Sequence, residues 1–166
     1  MSDIPSTITI RHTLASGDAD RIIRLHVDLY SKEYGFDASF GTHVAKPLAE
    51  FIASNSERER IWLLESDHDL LGCIAIVKHS DSEAQLRWFL LHPSLRGRGL
   101  GDQLAAEAIQ FCRDCAYERV FLWTVNLLEV AAKVYRKHGF IITEEQTHTI
   151  WGCALTEQRY DLVLHP

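Results

Sequence analysis

The run Arg96-Gly97-Arg98-Gly99-Leu100-Gly101 constrains this chain more than any other stretch. It follows a strand-like segment, Ala84 to Leu91, and its exit His92-Pro93, and it opens directly into an amphipathic helical pattern from Leu100 to Ala116. Strand, glycine-rich loop and helix start, in that order, make an anion site. The first helical amides have no partner within the helix, and the helix dipole places about half a positive charge there. Gly97, Gly99 and Gly101 let the backbone approach a phosphate with no Cβ in the way, and Arg96 and Arg98 can add charge. The bland alternative is a tight glycine turn with solvated arginines. No G-K-[ST] is present, so a Walker nucleotide loop is unsupported. The spacing is also not G-x-G-x-x-G, and the loop follows a strand late in the order rather than the first strand of a dinucleotide fold.

The flanking patterns supply the rest of the architecture. Ile8 to Arg11 alternates as a first strand. Asp18 is placed to cap a helix from about Ala19 to Glu33, closed by Gly35, and Pro47 to open a short second helix through about Ala53. Ile61 to Glu65 and Leu71 to Lys78 read as a hairpin around Ser66-Asp67-His68-Asp69, and Val120 to Val125 as an aromatic-rich buried strand. Leu128 to His138 is a helix stopped by Gly139. Phe140 to Thr143 starts the last sheet region, which ends with Arg159 to Leu164. The expectation is an α/β (α+β) fold: a mixed, mostly antiparallel central sheet of about seven strands flanked by about four helices, in one domain over residues 1–166.

Charge and cysteines narrow the function classes. A formal charge of −6 argues against a nucleic-acid binder. The start, Met1 to Thr7, lacks a basic region and apolar core, and no apolar run reaches the ~20 residues of a membrane span, so a cytoplasmic protein is expected. Cys112-x-x-Cys115 falls on the apolar stripe of the Leu104 to Tyr117 helix. Cys73 and Cys153 stand alone in strand-like runs, so core thiols in a reduced protein are expected rather than a metal site.

The loop resembles the pyrophosphate motif [QR]-x-x-G-x-[GA] of the GNAT superfamily of N-acetyltransferases, matched here as Arg96-x-x-Gly99-x-Gly101, and Tyr135-x-x-x-Gly139-Phe140 sits where that family has it. The likeness runs from the first strand to Leu164. It implies acetyl-CoA as cosubstrate, with the diphosphate on the amides of Gly97, Arg98, Gly99, Leu100, Gly101 and Asp102, and the pantetheine on backbone groups of Phe89, Leu90 and Leu91. Asp102 is awkward there, since a carboxylate repels phosphate. The family's usual asparagine, seven positions before the tyrosine, is Leu128 here, and Asn126 sits nine before. A finer resemblance is to GNAT domains joined to MarR-type regulators. It is carried by His26-x-x-Leu29-Tyr30-x-x-Glu33-Tyr34-Gly35-Phe36-Asp37, by Ala84-Gln85-Leu86-Arg87 and by Leu122-Trp123-Thr124. No DNA-binding segment precedes these residues, so an enzyme rather than a regulator is expected.

Attack of an amine on a thioester needs a route for the amine proton, a hydrogen bond to the developing oxyanion and a proton for the departing thiolate. Tyr135 is the candidate for the last. The base is less clear, because many relatives have glutamate where this chain has Gln85. Glu83, two residues earlier on the same strand face, and His148 are the candidates. His26, Tyr30, Glu33 and Tyr34 lie on one side of the first helix by i, i+3, i+4 spacing, and with Gln85 and Arg87 they are expected to border the acceptor. The expected acceptor is a small-molecule primary amine such as an amino acid. The alternatives are a protein amine or, from another class, a module that binds acyl-CoA without turnover. Many members of such a family dimerise, which leaves a homodimer open.

Overall fold

The structure is a computed structural model and describes residues 7–165; the reading of Met1 to Ser6 as no leader lies outside them. The elements follow the expected order. β1 is Thr9–Arg11, α1 Asp18–Tyr34, α2 Ser39–Ser54, β2 Arg60–Ser66, β3 Asp69–Lys78 and β4 Glu83–Leu91. α3 is Leu100–Asp114, β5 Arg119–Val125, α4 Glu129–Lys137, β6 Ile141–Ile150 and β7 Cys153–Val163. A single 3-10 turn, Pro93–Leu95, joins β4 to the glycine loop.

The seven strands form one sheet in the order β1-β2-β3-β4-β5-β7-β6. All neighbours are antiparallel except β4 and β5, which run parallel. Each face carries a helix layer. On one face Leu104, Ala108, Ile109 and Cys112 of α3 and Ala132 and Tyr135 of α4 pack on Ile74, Leu86, Val120, Leu122 and Tyr160. On the other, Ile22 and Leu29 of α1 and Phe40, Val44 and Leu48 of α2 pack on Leu63, Cys73, Ala75, Leu90 and Leu155. Spacings of three, four and seven residues place each helix's apolar stripe on the sheet.

Three local expectations are corrected. Asp18 does not cap α1. Gly17, in the left-handed region at φ +86°, takes that place, and Asp18 is a buried first-turn residue whose carboxylate accepts from the Ala15 N–H (2.6 Å) and pairs with Arg11 (2.6 Å) and Arg21 (3.1 Å). Pro47 does not open α2 but sits inside it. The helix begins eight residues earlier, where Asp37 Oδ1 accepts from the Ser39 N–H (3.0 Å), and the Phe40–Val44–Leu48 stripe carries it past the missing proline donor. β6 and β7 are far longer than Phe140 to Thr143 and Arg159 to Leu164 suggest. β6 is an edge strand solvated on both faces, so it lacks the alternation that marks a half-buried strand.

The parallel seam positions the site. β4 and β5 pair only at Glu83–Arg119, Ala84–Val120 and Gln85–Phe121, although β4 continues to Leu91 and β5 to Val125. Beyond Gln85 the two strands diverge. A bulge in the β3–β4 ladder between Cys73 and Ala75 faces Trp88, which is held at φ +51°, a conformation costly for a bulky side chain. Ala84 and Leu86, before the bulge, belong to the α3 side; Trp88 and Leu90, after it, belong to the α1–α2 side. The bulge thus re-aims the strand where the sheet opens.

Candidate active site

Two adjoining cavities occupy the divergence. The larger, about 360 Å³, is walled by Gln85, Arg87, Trp88 and Phe89 of β4, by Leu122 to Val125 of β5, and by Leu128, Ala131 and Tyr135 around α4. It is also walled by His26 and Tyr30 of α1, Phe36, Phe40, His43 and Val44 around α2, and Trp151 and Glu157. The smaller, about 130 Å³, lies between Tyr30, Glu33 and Tyr34 of α1, Phe89, Leu90 and Leu91 at the end of β4, Arg96 and Gly101 of the loop, and Leu128, Val130, Ala131 and Val134. Tyr30, Phe89, Leu128 and Ala131 belong to both, so a groove runs from the start of α3 through the open sheet to the α1–α2 side.

At its outer end is the glycine loop. Gly97 (φ +78°) and Gly99 (φ +76°) are left-handed, and a Cβ at either would meet no protein atom within 4 Å. None of the backbone N–H groups from 97 to 102 has a partner among the described residues; the ladder of α3 begins with the Gln103 N–H on the Gly99 carbonyl (3.1 Å). Six successive free donors at a helix start are a ready anion cradle. Arg98 has no carboxylate partner among the described residues, but Arg96 is engaged: its guanidinium pairs with Glu33 (2.8 Å) and donates to the Leu91 carbonyl (3.1 Å). Asp102 is engaged from the end of α4: Lys137 pairs with it (3.0 Å) and His138 Nε2 is within hydrogen-bond distance (2.8 Å). Lys137 foremost, then His138, holds its carboxyl below the usual range. The carboxylate is therefore committed to α4 beside the cradle.

Tyr135 sits in the middle of the groove. Its ring packs near Phe89, Phe140 and Tyr160, and its hydroxyl has no partner among the described residues. Burial pushes the phenol well above its ordinary range, so it stays protonated.

Residues 22–140 match the profile of the Acetyltransferase (GNAT) family. The chain belongs to that family. Its relatives include the uncharacterized N-acetyltransferase YjgM of Escherichia coli K12, 29% identical over 145 residues, covering 84% of this chain and 86% of that one. Another, the uncharacterized N-acetyltransferase C1271.07c of Schizosaccharomyces pombe, is 29% identical over 147 residues, covering 87% and 89%. Among solved structures, a GNAT acetyltransferase of Staphylococcus aureus Mu50 superposes with a TM-score of 0.77 at 15% identity over 96% of this chain and all of that one. Salmonella typhimurium yncA, solved with acetyl-CoA, gives 0.72 at 17% identity, covering 95% and 94%. The GNAT fold is thus present across the chain, and this protein is a GNAT-family acetyltransferase.

The GNAT site residues expected from sequence separate into groups. His26, Tyr30, Gln85, Arg87 and Tyr135 line the larger cavity; Tyr30, Glu33, Tyr34, Phe89, Leu90, Leu91, Arg96 and Gly101 line the smaller. Glu83 lines neither. It is the first residue of β4, at the closed end of the seam, its carbonyl accepting from the His79 and Ser80 N–H groups of the preceding turn, both at 3.0 Å. Asn126 is spent on β7, its N–H and side-chain oxygen bonded to Thr156 (2.9 and 3.0 Å), and Leu128 takes the groove wall instead. His148, half-exposed on β6, lines neither cavity; its Nε2 is hydrogen-bonded to Glu157, which does. Glu157 was not singled out from the sequence, nor were His43 and Trp151. The spacing Leu155-x-Glu157, with Leu155 buried on the α1–α2 side, is the signal that places that carboxylate on the cavity face.

His26 is not a surface rim residue. It is 2% exposed, its Nδ1–H donates to the Ile22 carbonyl (2.8 Å), and its Nε2 is buried with no partner, as is Thr124 Oγ1. Burial pushes its pKa down to about 4. The unfolded chain therefore binds a proton between about pH 6.5 and 4 that the folded one refuses, so this group's contribution is present above 6.5 and is lost as pH falls toward 4. His26→Phe should remove that dependence. Urea unfolding at pH 7 and pH 4.5 should show a loss about 2–3 kcal/mol smaller in the variant than in the wild type. Equal losses would mean that His26 is protonated in the folded protein.

Proposed function

We propose that this GNAT enzyme transfers the acetyl group of acetyl-CoA to the primary amine of a small molecule that enters the larger cavity. The observation that carries the reading is the continuity of the six free amides at 97–102, the groove and the Tyr135 hydroxyl. The amides, helped by Arg98, hold the diphosphate. The edge of β4 beyond Gln85, unpaired on the β5 side, offers backbone groups of Phe89, Leu90 and Leu91 to the pantetheine amides, as an added strand would. Bound acetyl-CoA supplies an acyl group activated as a thioester. Tyr135 gives its proton to the departing sulfur.

Gln85 cannot take a proton, and Glu157 does what a glutamate at that position would do. It faces the cavity from the opposite strand arm, accepts the amine proton and passes it to His148, which is exposed to water. His26 Nε2, a lone pair in an otherwise aromatic wall, accepts a hydrogen bond from the amine. Tyr30 and Gln85-Leu86-Arg87, which belong to the stretches that carry the likeness to GNAT domains joined to MarR-type regulators, border this acceptor side.

Acetyl-CoA at a hundredfold excess over its Kd should stabilise the protein by about 2.7 kcal/mol, and CoA thiol should be released when a panel of amines, amino acids and basic peptides is supplied. No rise in Tm at millimolar acetyl-CoA would overturn the cradle. Thiol release with peptides alone would overturn the small-molecule acceptor.

A further inference from the structure

The larger cavity contains one arginine or lysine, Arg87, and that cation has no carboxylate partner among the described residues. Among the described residues its only side-chain hydrogen bond is a long one, Nη1 to Gln85 Oε1 at 3.4 Å, and its guanidinium lies 5.3 Å from the Trp88 ring. Other arginines are satisfied: Arg96 by Glu33, Arg159 and Arg119 by Asp161, Arg58 by the Asp81 and Cys115 carbonyls. Burial works against the charge of Arg87, and the acidic group that acts on it, Glu50 of α2, is not in ion-pair contact. A guanidinium desolvated without a counter-ion is costly, and the cost is relieved when a carboxylate arrives.

The remainder of the cavity says what the carboxylate is attached to. Much of the remaining wall is aromatic: Phe36, Phe40 and Trp151 are mutually packed with centroids 4.9 to 5.5 Å apart, and Val44 also lines the cavity. Trp151 belongs to the β6–β7 hairpin tip, pinned to the α1–α2 loop by the Asp37 N–H on the Trp151 carbonyl (2.9 Å). His43, edge-on to Trp151, is kept neutral by burial and then by Arg87, so no second cation competes for an anion there.

We infer that the acceptor is an amine that also carries a carboxylate and an apolar or aromatic side group, the carboxylate seated on Arg87 and the side group against Phe36, Phe40 and Trp151. This rests on the acyl-transfer reading above and names the substrate class for that same site. Arg87 positions the acceptor and takes no part in the proton transfers. The planar fork of its guanidinium suits a two-point hydrogen bond to a carboxylate, which a lysine ammonium cannot reproduce in geometry.

The test is thiol release from acetyl-CoA with matched pairs: each of the standard amino acids and the amine that lacks its carboxylate, with wild type, Arg87→Gln and Arg87→Lys. Apolar and aromatic amino acids should exceed their decarboxylated partners in kcat/KM by roughly 10- to 100-fold, mostly through KM. Arg87→Gln should erase that ratio, and Arg87→Lys should restore only part of it. The acetyl-CoA-dependent rise in Tm shows that each variant is folded and still binds the donor. Equal or faster turnover of the decarboxylated amines by wild type, or a ratio that survives Arg87→Gln, overturns the inference and leaves the acyl-transfer reading standing. Turnover of no amine, despite a rise in Tm with acetyl-CoA, overturns both.

Discussion

Tyr135→Phe should lower kcat by about 10²- to 10⁴-fold, the range for removing a general acid, while acetyl-CoA affinity and Tm hold. The structure sharpens this expectation. The ring packs among Phe89, Phe140 and Tyr160, and phenylalanine keeps those contacts. The hydroxyl bonds to no protein group among the described residues, so its removal strands no partner and stability is spared. Because burial raises the phenol, Tyr135 should add no alkaline fall in kcat below about pH 10. The departing sulfur belongs to a thiol with a pKa near ~8.5, so it takes up a proton as it leaves. The check is single-turnover kinetics under conditions where chemistry limits the rate; an unchanged rate in Tyr135→Phe would reduce the residue to packing.

Gly99→Val is the second large effect. Valine at φ +76° is strained, and the strain costs about 1–2 kcal/mol of stability. Its Cβ meets no protein atom within 4 Å, so any further penalty falls on whatever occupies that space. CoA affinity should drop by about 10²-fold or more as charge-assisted amide contacts are lost. A pantetheine fragment without the diphosphate should lose little. Gly17→Val is the matched control: Gly17 also stands left-handed, φ +86°, at the start of a helix with open space around its Cβ, but away from the groove. It should cost similar stability and leave CoA binding alone. Equal losses for CoA and the fragment in Gly99→Val would move the diphosphate elsewhere.

The features legible in the sequence were those written in local chemistry. The glycine loop, the helix after it and Tyr135 near the end of α4 depend on neighbours a few residues away, and they stand where the pattern put them. The features that were not legible depend on long-range registry. Glu33 answers Arg96 across 63 residues, Asp102 answers His138 across 36, and Glu157 faces the cavity because β7 pairs with β5 in one register. Asp18 carries a capping residue's chemistry, yet its carboxylate serves Arg11 and Arg21, so a turn-forming signal was absorbed by an ion-pair cluster. His26 was expected beside the acceptor, and it does line the cavity, but its burial was not legible because it comes from Tyr30 at i+4 and from Phe40 of another helix, which enclose that side of α1.

The three-residue pairing of β4 with β5 also bears on how the molecule exchanges hydrogen with water. Without a ligand, amides of β4 that face the seam and the six of the loop have no ladder to protect them, while their neighbours between β2 and β3 do. In the proposed complex acetyl-CoA completes that missing ladder. Deuterium retained between residues 87 and 102, set against an unchanged β2–β3 hairpin, then reports donor occupancy directly, with no acceptor present and no turnover required.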